Sequence, residues 1–330
     1  MKFPLKLNLK LSRYIASMKC KGVKKYPLVL MLEVTHRCNL RCTGCGRIRE
    51  YKESMDKQLT AEECLASARE CGAPVVSVTG GEPLVHPEIE RIVQLLLDDG
   101  FVIYFCTNGL LLKDSLEKLR PDKVFSFSIH LDGMKETHDM VANRDGAFDA
   151  AIEGIQAAKS KKFRVCTNTT IYKETDLNEI EQLFELLTRI GVDGLLVAPG
   201  FSFQEVEEDH FLTREETMEK FRTIRTWTRR FPLHTTPVYM DFLTGKRKLD
   251  CTPWGNPTRN PVGWRSPCYL ICDQHFASYN EMMEETDWSK YGPGKDRRCA
   301  HCMVHSGFEA TAVQNMSLAD SLRMAWWNLT

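Results

Sequence analysis

No stretch of this 330-residue chain is apolar over the ~18–20 residues that cross a bilayer as a helix. The run Tyr26-Pro-Leu-Val-Leu-Met-Leu32 stops at Glu33, so it predicts a buried strand and not a signal peptide. Acidic residues are absent from the first 26 positions, which carry eight Lys or Arg. Formal net charge is zero, so the remainder is acidic by eight. The basic patch does not recur, which argues against a nucleic-acid partner. Internal repeats and low-complexity tracts are also missing. The thirteen cysteines are odd in number and follow no secretory signal. That combination argues against a disulfide framework and for a reducing cytosol with metal-bound thiolates.

The apolar fraction of 43% is enough to bury a sizeable core in one large domain or two smaller ones. Residues 1–26 form a basic amphipathic arm, apolar at Phe3, Leu5, Leu7, Leu9, Leu11, Tyr14, Ile15 and Met18. Such an arm either binds anionic lipid or packs on the domain with snorkelling lysines. From residue 27 to 232, short β-like runs alternate with helical stretches. Predicted strands are Leu28–Glu33, Val75–Val78, Phe101–Cys106, Lys123–Ser128, Arg164–Thr169 and Gly194–Val197. Predicted helices between them include Ala61–Glu70, Glu88–Asp98, Ser115–Leu119, Phe148–Ser160 and Asn178–Ile190. Six β–α units predict an α/β fold, a partial (β/α)6 TIM-like barrel with function at the C-terminal strand ends. Residues 233–312 are rich in Pro, Gly, Trp and Cys with little periodicity, which predicts an irregular Cys-rich auxiliary module. Residues 313–330 predict a C-terminal helix.

Cys38-Asn-Leu-Arg-Cys42-Thr-Gly-Cys45 directly follows the first strand. Thiolates are the ligands that iron–sulfur clusters select. Three of them on one loop hold three irons and leave a fourth open. The alternative is a closed zinc site completed by His36. Gly80-Gly81-Glu82-Pro83 follows the second strand, Thr107-Asn108-Gly109 the third, Ser128 to Gly133 the fourth, and Asn168 ends the fifth. A second set, Cys251, Cys268, Cys299 and Cys302, falls in the Cys-rich module, with Cys272 as a spare. Four thiolates there would close a second cluster or a structural zinc, and buried thiols acting as small hydrophobes remain an alternative.

The cysteine triplet and the strand-end turns resemble the radical SAM superfamily. The resemblance implies a [4Fe–4S] cluster on Cys38, Cys42 and Cys45 whose open iron is chelated by S-adenosylmethionine. It implies cofactor contacts from Gly80, Gly81, Glu82, Thr107, Asn108, Ser128 and Asn168, with Glu82 accepting from the methionine ammonium. Many members place an aromatic residue before the third cysteine, against adenine; here Gly44 stands there. The second cysteine set resembles the auxiliary-cluster modules appended to many such barrels.

Tyr26 to Glu33, Glu70 to Pro74, Cys251 to Asn260, Met283 to Trp288 and Cys302 to His305 resemble the adenosylhopane synthase family of hopanoid biosynthesis. Thr79 and Ser306 depart from it. This resemblance implies addition of the 5′-deoxyadenosyl radical to the alkene of diploptene, with S-adenosylmethionine consumed as cosubstrate. The product radical must then gain a hydrogen atom. A thiol S–H is weaker than an alkyl C–H, and Cys106 ends the third strand, so Cys106 is the candidate donor; a small buried core residue is the alternative. The expected partners are the hydrophobic triterpene, a low-potential electron donor such as flavodoxin or ferredoxin, and a peripheral membrane contact on the inner face of the bacterial membrane. Trp254, Trp264, Tyr269, Phe201 and Phe203 are candidates to cover an apolar pocket. The rival readings are another auxiliary-cluster radical SAM enzyme, acting on a peptide or small molecule, and a non-enzymatic iron–sulfur carrier.

Overall fold

Large apolar side chains alternate along the strands with small or polar ones, and this period of two gives the sheet two different faces. The computed structural model describes residues 5–203, 205–206 and 209–329; the first four residues of the predicted arm and Thr330 lie outside them. In chain order the elements are α1 (Leu5–Cys20), β1 (Val29–Thr35), the single turn α2 (Arg47–Glu50), α3 (Ala61–Cys71), β2 (Val75–Gly80), α4 (Ile89–Asp98), β3 (Val102–Thr107) and α5 (Leu112–Ser115). Then come β4 (Phe125–His130), α6 (Lys135–Ala142), α7 (Ala147–Ser160), β5 (Arg164–Ile171), α8 (Leu177–Ile190), β6 (Gly194–Pro199) and α9 (Arg214–Thr226). The remainder is α10 (Pro237–Leu243), β7 (Thr258–Arg259), β8 (Trp264–Pro267), β9 (Cys272–Phe276), α11 (Tyr279–Glu285), α12 (His305–Gln314) and α13 (Leu318–Leu329).

One nine-stranded sheet runs in the order β6-β5-β4-β3-β2-β1-β7-β8-β9. The strands β1 to β6 pair in parallel, as a helix crossover between successive strands requires. The outer face carries Leu30, Leu32, Val78, Phe105, Phe127 and Val165, packed with Ile92, Leu96, Ile155 and Leu183 of the surrounding helices. The inner face carries the other half of each strand. There Glu33 is in register with Thr79, Ser77 with Tyr104, Cys106 with Ser128, Ser128 with Cys166, and His130 with Asn168. The predicted partial barrel is the observed one, and its sheet is unclosed.

Five of the six barrel strands run two residues past their predicted ends, and β3 runs one past, because the polar motif residues remain hydrogen-bonded to their neighbours. The Cys-rich module expected after residue 233 is present, and part of it is regular. β7 joins the barrel sheet in parallel beside β1, and β8 and β9 extend it as an antiparallel hairpin. Helix α12 crosses the boundary expected at 312/313. The α5 turn lies ahead of the predicted Ser115–Leu119.

The arm is helical over Leu5–Cys20, and five of its apolar side chains pack within the fold while Leu9 is exposed. Leu7 and Leu11 pack against Val75 and Val102, while Tyr14, Ile15 and Met18 meet Tyr26, Leu28 and Val313. Lys6, Arg13 and Lys19 are exposed, while Lys10 lies over the Phe101 ring and donates to the Gly100 carbonyl at 2.6 Å.

Helix α3 starts at a capping box: Thr60 Oγ1 accepts from the Glu63 amide, and Glu63 accepts from the Thr60 amide. Thr60→Ala is expected to lower stability by about 1 kcal/mol in urea unfolding. An unchanged midpoint would show that α3 is held by packing alone.

Candidate active site

Two glycines bring the cluster loop against the barrel. A Cβ on Gly80 would lie 2.3 Å from the Thr35 carbonyl oxygen, and one on Gly81 would lie 2.1 Å from that of Arg37. Gly80 also sits at φ +136°, where side chains are rare. The freed space lets the Gly81 amide donate to Thr35 O and the Glu82 amide to Arg37 O, both at 2.8 Å. The close backbone approach made by these glycines is therefore to the chain's own cysteine loop.

Glu82 carries the link onward to the third strand. Its carboxylate accepts from the Leu84 amide at 3.0 Å, Thr107 Oγ1 at 2.8 Å and the Asn108 amide at 2.8 Å. Asn108 Nδ2 then donates to Asn39 Oδ1 at 2.7 Å, inside the cysteine loop. Burial pushes the Glu82 carboxyl up to about 7, against the pull of these three donors. A carboxylate offers four acceptor positions. With two used on Oε1 and one on Oε2, Oε2 keeps one acceptor position.

The three thiols of the loop interact. Burial first, then Cys45 and Cys38, push the Cys42 thiol up to about 12. Burial also raises Cys38 to about 12, while the Leu40 amide, donating to its Sγ at 3.4 Å, favours the thiolate. Three such groups side by side call for a cationic centre to hold them ionised. Three thiols on one loop suit a four-iron cube, which takes one thiolate per iron and leaves its fourth iron open. His36 stacks on Tyr51 at 3.8 Å, its Nδ1 is in hydrogen-bond contact with Ser54 Oγ at 2.9 Å, and its buried Nε2 has no hydrogen-bond partner among the described residues.

The auxiliary cysteines also come together. Burial and then Cys302, Cys268 and Cys299 raise the Cys251 thiol well above its ordinary value. The Leu270 and Ile271 amides donate to Cys268 Sγ at 3.4 Å, the kind of contact that stabilises a cluster thiolate. Gly307 leaves the room, since a Cβ there would lie 2.6 Å from Cys251 Sγ. The set fits a second cluster. Cys272 stands apart, in contact with His275 at 3.7 Å.

Cys106 faces inward, 3.4 Å from Ser77 Oγ and also hydrogen-bonded to Ser128. Tyr269 reaches this spot from the loop after β8. Burial raises its phenol, the Arg47 guanidinium opposes that, and Glu33 and Cys106 add to the rise. Asn168 lies beside His130, whose Nε2 pairs with Asp132 at 2.6 Å.

Sequence reasoning missed the charged knot beneath Tyr269. Arg47 Nε lies 3.0 Å from Glu33, which is wholly buried, and Arg47 Nη1 pairs with Glu50 at 3.0 Å. Arg265, 1% exposed, pairs with the same Glu50 at 2.6 Å and donates to Tyr51. The Arg47 guanidinium lies 4.3 Å from the Tyr269 ring centre and donates to its carbonyl oxygen. Arg49 Nη1 donates to the Thr43 and Cys45 carbonyls at 2.9 and 2.7 Å, bracing the cysteine loop. Tyr172 was missed too. A Cβ on Gly44 would lie 2.8 Å from its hydroxyl, so this ring takes the space that a side chain at 44 would fill. Only the glycine at 44 signalled the vacancy.

Of the aromatic residues expected over a pocket, Phe201, Phe203 and Tyr269 gather with Leu270, Ile271 and Val304 next to the auxiliary cysteines. Trp254 and Trp264 do not join them. Trp254 packs on Trp288, and Trp264 donates to Glu70 on α3, on the outer side of the sheet.

The profile of the Radical SAM superfamily matches residues 32–187. Those residues form a radical SAM domain. The superfamily that these residues match works with a [4Fe–4S] cluster and S-adenosylmethionine. Residues 195–325 match a "Domain of unknown function (DUF3463)". The AdoMet-dependent heme synthase of Methanosarcina barkeri is 34% identical over 170 residues, covering 50% of this chain and 48% of that protein. A GTP 3′,8-cyclase of Clostridium perfringens is 30% identical over 171 residues, covering 50% and 53%. The chain therefore spans about half the length of these curated relatives. Among solved structures, Streptococcus suis SuiB bound to the precursor peptide SuiA shares the fold. Its TM-score is 0.65 at 14% identity, over 89% of this chain and 74% of SuiB. Native anSMEcpe with bound AdoMet gives a TM-score of 0.58 at 14% identity, over 92% and 97%. Among the described residues, no helix is long and apolar enough to cross a membrane.

Two measurements check the site. Reconstituted protein should hold about eight irons, falling to about four when Cys299 and Cys302 are both changed to Ala. Cys272→Ala should leave the count unchanged. Gly44→Phe should lower iron retention by driving its ring into Tyr172, and adding Tyr172→Ala should restore it. Failure of the second change to rescue the first would mean the two positions do not share one space.

Proposed function

We propose that this enzyme is an adenosylhopane synthase, joining C5′ of S-adenosylmethionine to the alkene of diploptene. The observation that carries the reading is the Cys106 thiol, set on the inner face of the barrel between Ser77 and Ser128. The long segment resemblances given above support it. Cluster and S-adenosylmethionine together supply the 5′-deoxyadenosyl radical.

The chain's own residues do the rest. Gly80, Gly81, Glu82, Thr107 and Asn108 seat the cosubstrate against the cysteine loop, with Glu82 Oε2 accepting from its amino group. Ser128 and Asn168 face the nucleoside, and Tyr172 stands beside Gly44 for the base. Phe201, Phe203 and Tyr269 exclude water, which would otherwise offer competing chemistry. Addition of C5′ to the alkene leaves a tertiary carbon radical, and Cys106 gives its S–H hydrogen to that carbon. The resulting thiyl takes one electron and one proton to return to the thiol. Each turnover thus draws two electrons from a low-potential donor such as a flavodoxin or ferredoxin.

Burial holds the Cys106 thiol above its ordinary value, with Ser77 and Ser128 opposing and Glu82 adding. The group therefore stays protonated at neutral pH, as a hydrogen donor must.

The grouped auxiliary thiols favour a second reading, an auxiliary-cluster enzyme acting on another small molecule or a peptide. Diploptene separates the two. Incubated with reduced enzyme and S-adenosylmethionine, it should yield an adenosylated hydrocarbon by mass spectrometry. Cys106→Ala should still cleave S-adenosylmethionine, while the saturated adduct falls about ten-fold or more. Unchanged yield and stereochemistry would remove Cys106 from the mechanism, and absence of any adduct with the wild type would remove diploptene.

A further inference from the structure

An open cleft of about 350 Å3 lies between the cysteine loop and the α6–α7 turn. Cys38, Asn39, Leu40 and Arg41 form one wall, and Asn143 and Arg144 the other. The two walls are fixed to each other. Leu40 packs with Ala142 and Ala147, and the Thr43 amide donates to the Val141 carbonyl at 2.9 Å. Arg41 and Arg144 are both exposed, and neither has an ion-pair partner among the described residues. Other cations on the adjoining segments are paired: Arg37 with Asp56, Lys113 with Glu153 and Lys135 with Asp149. Among the described residues no acid lines the cleft; the exposed carboxylate next to it is that of Asp145.

Two unpaired guanidiniums therefore flank Cys38, one of the three cluster thiols, on a chain that is acidic by eight beyond residue 26. The net charge of that body repels an acidic protein, while this edge of the cysteine loop attracts one. The proposed chemistry needs a partner at this edge, since every electron has to reach the cluster from outside. Both guanidiniums are exposed, as on the polar rim of a protein contact, whereas a small anion would be held by buried donors. A two-fold contact with a second copy centred on the cleft would bring arginine against arginine, which like charge opposes.

We infer that this cleft is the docking surface for an acidic electron-carrier protein, with Arg41 and Arg144 as its charged contacts. Such docking rests on the proposed function only for its need of a reduced cluster, and its test involves no diploptene. Reconstituted enzyme is titrated anaerobically with a fluorescently labelled flavodoxin, and binding is read by anisotropy. Stopped flow then follows reduction of the cluster by flavodoxin hydroquinone. Arg41→Glu with Arg144→Glu should weaken binding and slow this reduction roughly ten-fold or more, and flatten the salt dependence of both. Asp145→Asn should strengthen binding about two-fold. Lys6→Glu with Lys19→Glu makes the same change of net charge at the opposite end of the barrel, where α1 packs on Val75 and Val102 at the starts of β2 and β3. That pair should leave binding and reduction unchanged. Reduced methyl viologen, a small cation, should reduce the cluster of the double arginine variant at least as fast as that of wild type. Cleavage of S-adenosylmethionine driven by the viologen should persist in that variant, so a failure to form any adduct with diploptene is read separately. A double arginine variant that flavodoxin binds and reduces like wild type would overturn the inference. So would equal slowing by both reductants, which places the effect in the cluster loop itself, or equal weakening by the Lys6 and Lys19 changes, which makes it one of net charge alone.

Discussion

The architecture around the site depends on one buried ion pair, Glu33 with Arg47. Glu33 is the last inward-facing charge of β1, and Arg47 comes two residues after the third cysteine of the loop. Both are out of solvent, where an unpaired charge costs several kcal/mol, so neither tolerates the loss of the other. Around them Glu50, Arg265 and Tyr51 complete a network that keeps the cysteine loop, the first strand and the β8–β9 hairpin in one arrangement. The reward of so much buried charge is geometric. It sets the Tyr269 ring on the Arg47 guanidinium.

A second network fixes the other side of the loop. Gly81, Glu82, Thr107, Asn108 and Asn39 form a continuous chain of hydrogen bonds from β1 through β2 to β3. Between them the two networks immobilise the loop from both directions, which is what a reactive radical needs from its surroundings: reacting atoms placed closely and little freedom to wander.

Much of the barrel was legible because its signals are periodic. Alternation marked the six strands, and the apolar faces of α4 and α8 marked helices. What escaped lacks a period. Helix α12 buries Ser306, Gly307, Phe308, Ala310, Thr311, Ala312 and Gln314, so it shows no amphipathic stripe. Helix α6, Lys-Glu-Thr-His-Asp-Met-Val-Ala, reads as a polar loop because only His138 and Ala142 are buried. Strand β8 hides Arg265, a residue type that sequence reasoning places at the surface. The candidate site divides in the same way. Cysteines and paired glycines are rare enough to stand out at fixed spacings. Arg47, Arg49, Arg265, Tyr172 and Tyr269 are common residue types whose partners lie far along the chain.

The hydrogen bond from Arg47 to the Tyr269 carbonyl spans 222 residues. It makes the two matched regions interdependent in a way that their separate profiles do not express. A C-terminal half grafted from a relative onto this barrel would have to bring its own answer to Arg47, or the loop beneath would lose its anchor. Lineages that exchange such halves should therefore exchange the arginine's counterparts with them.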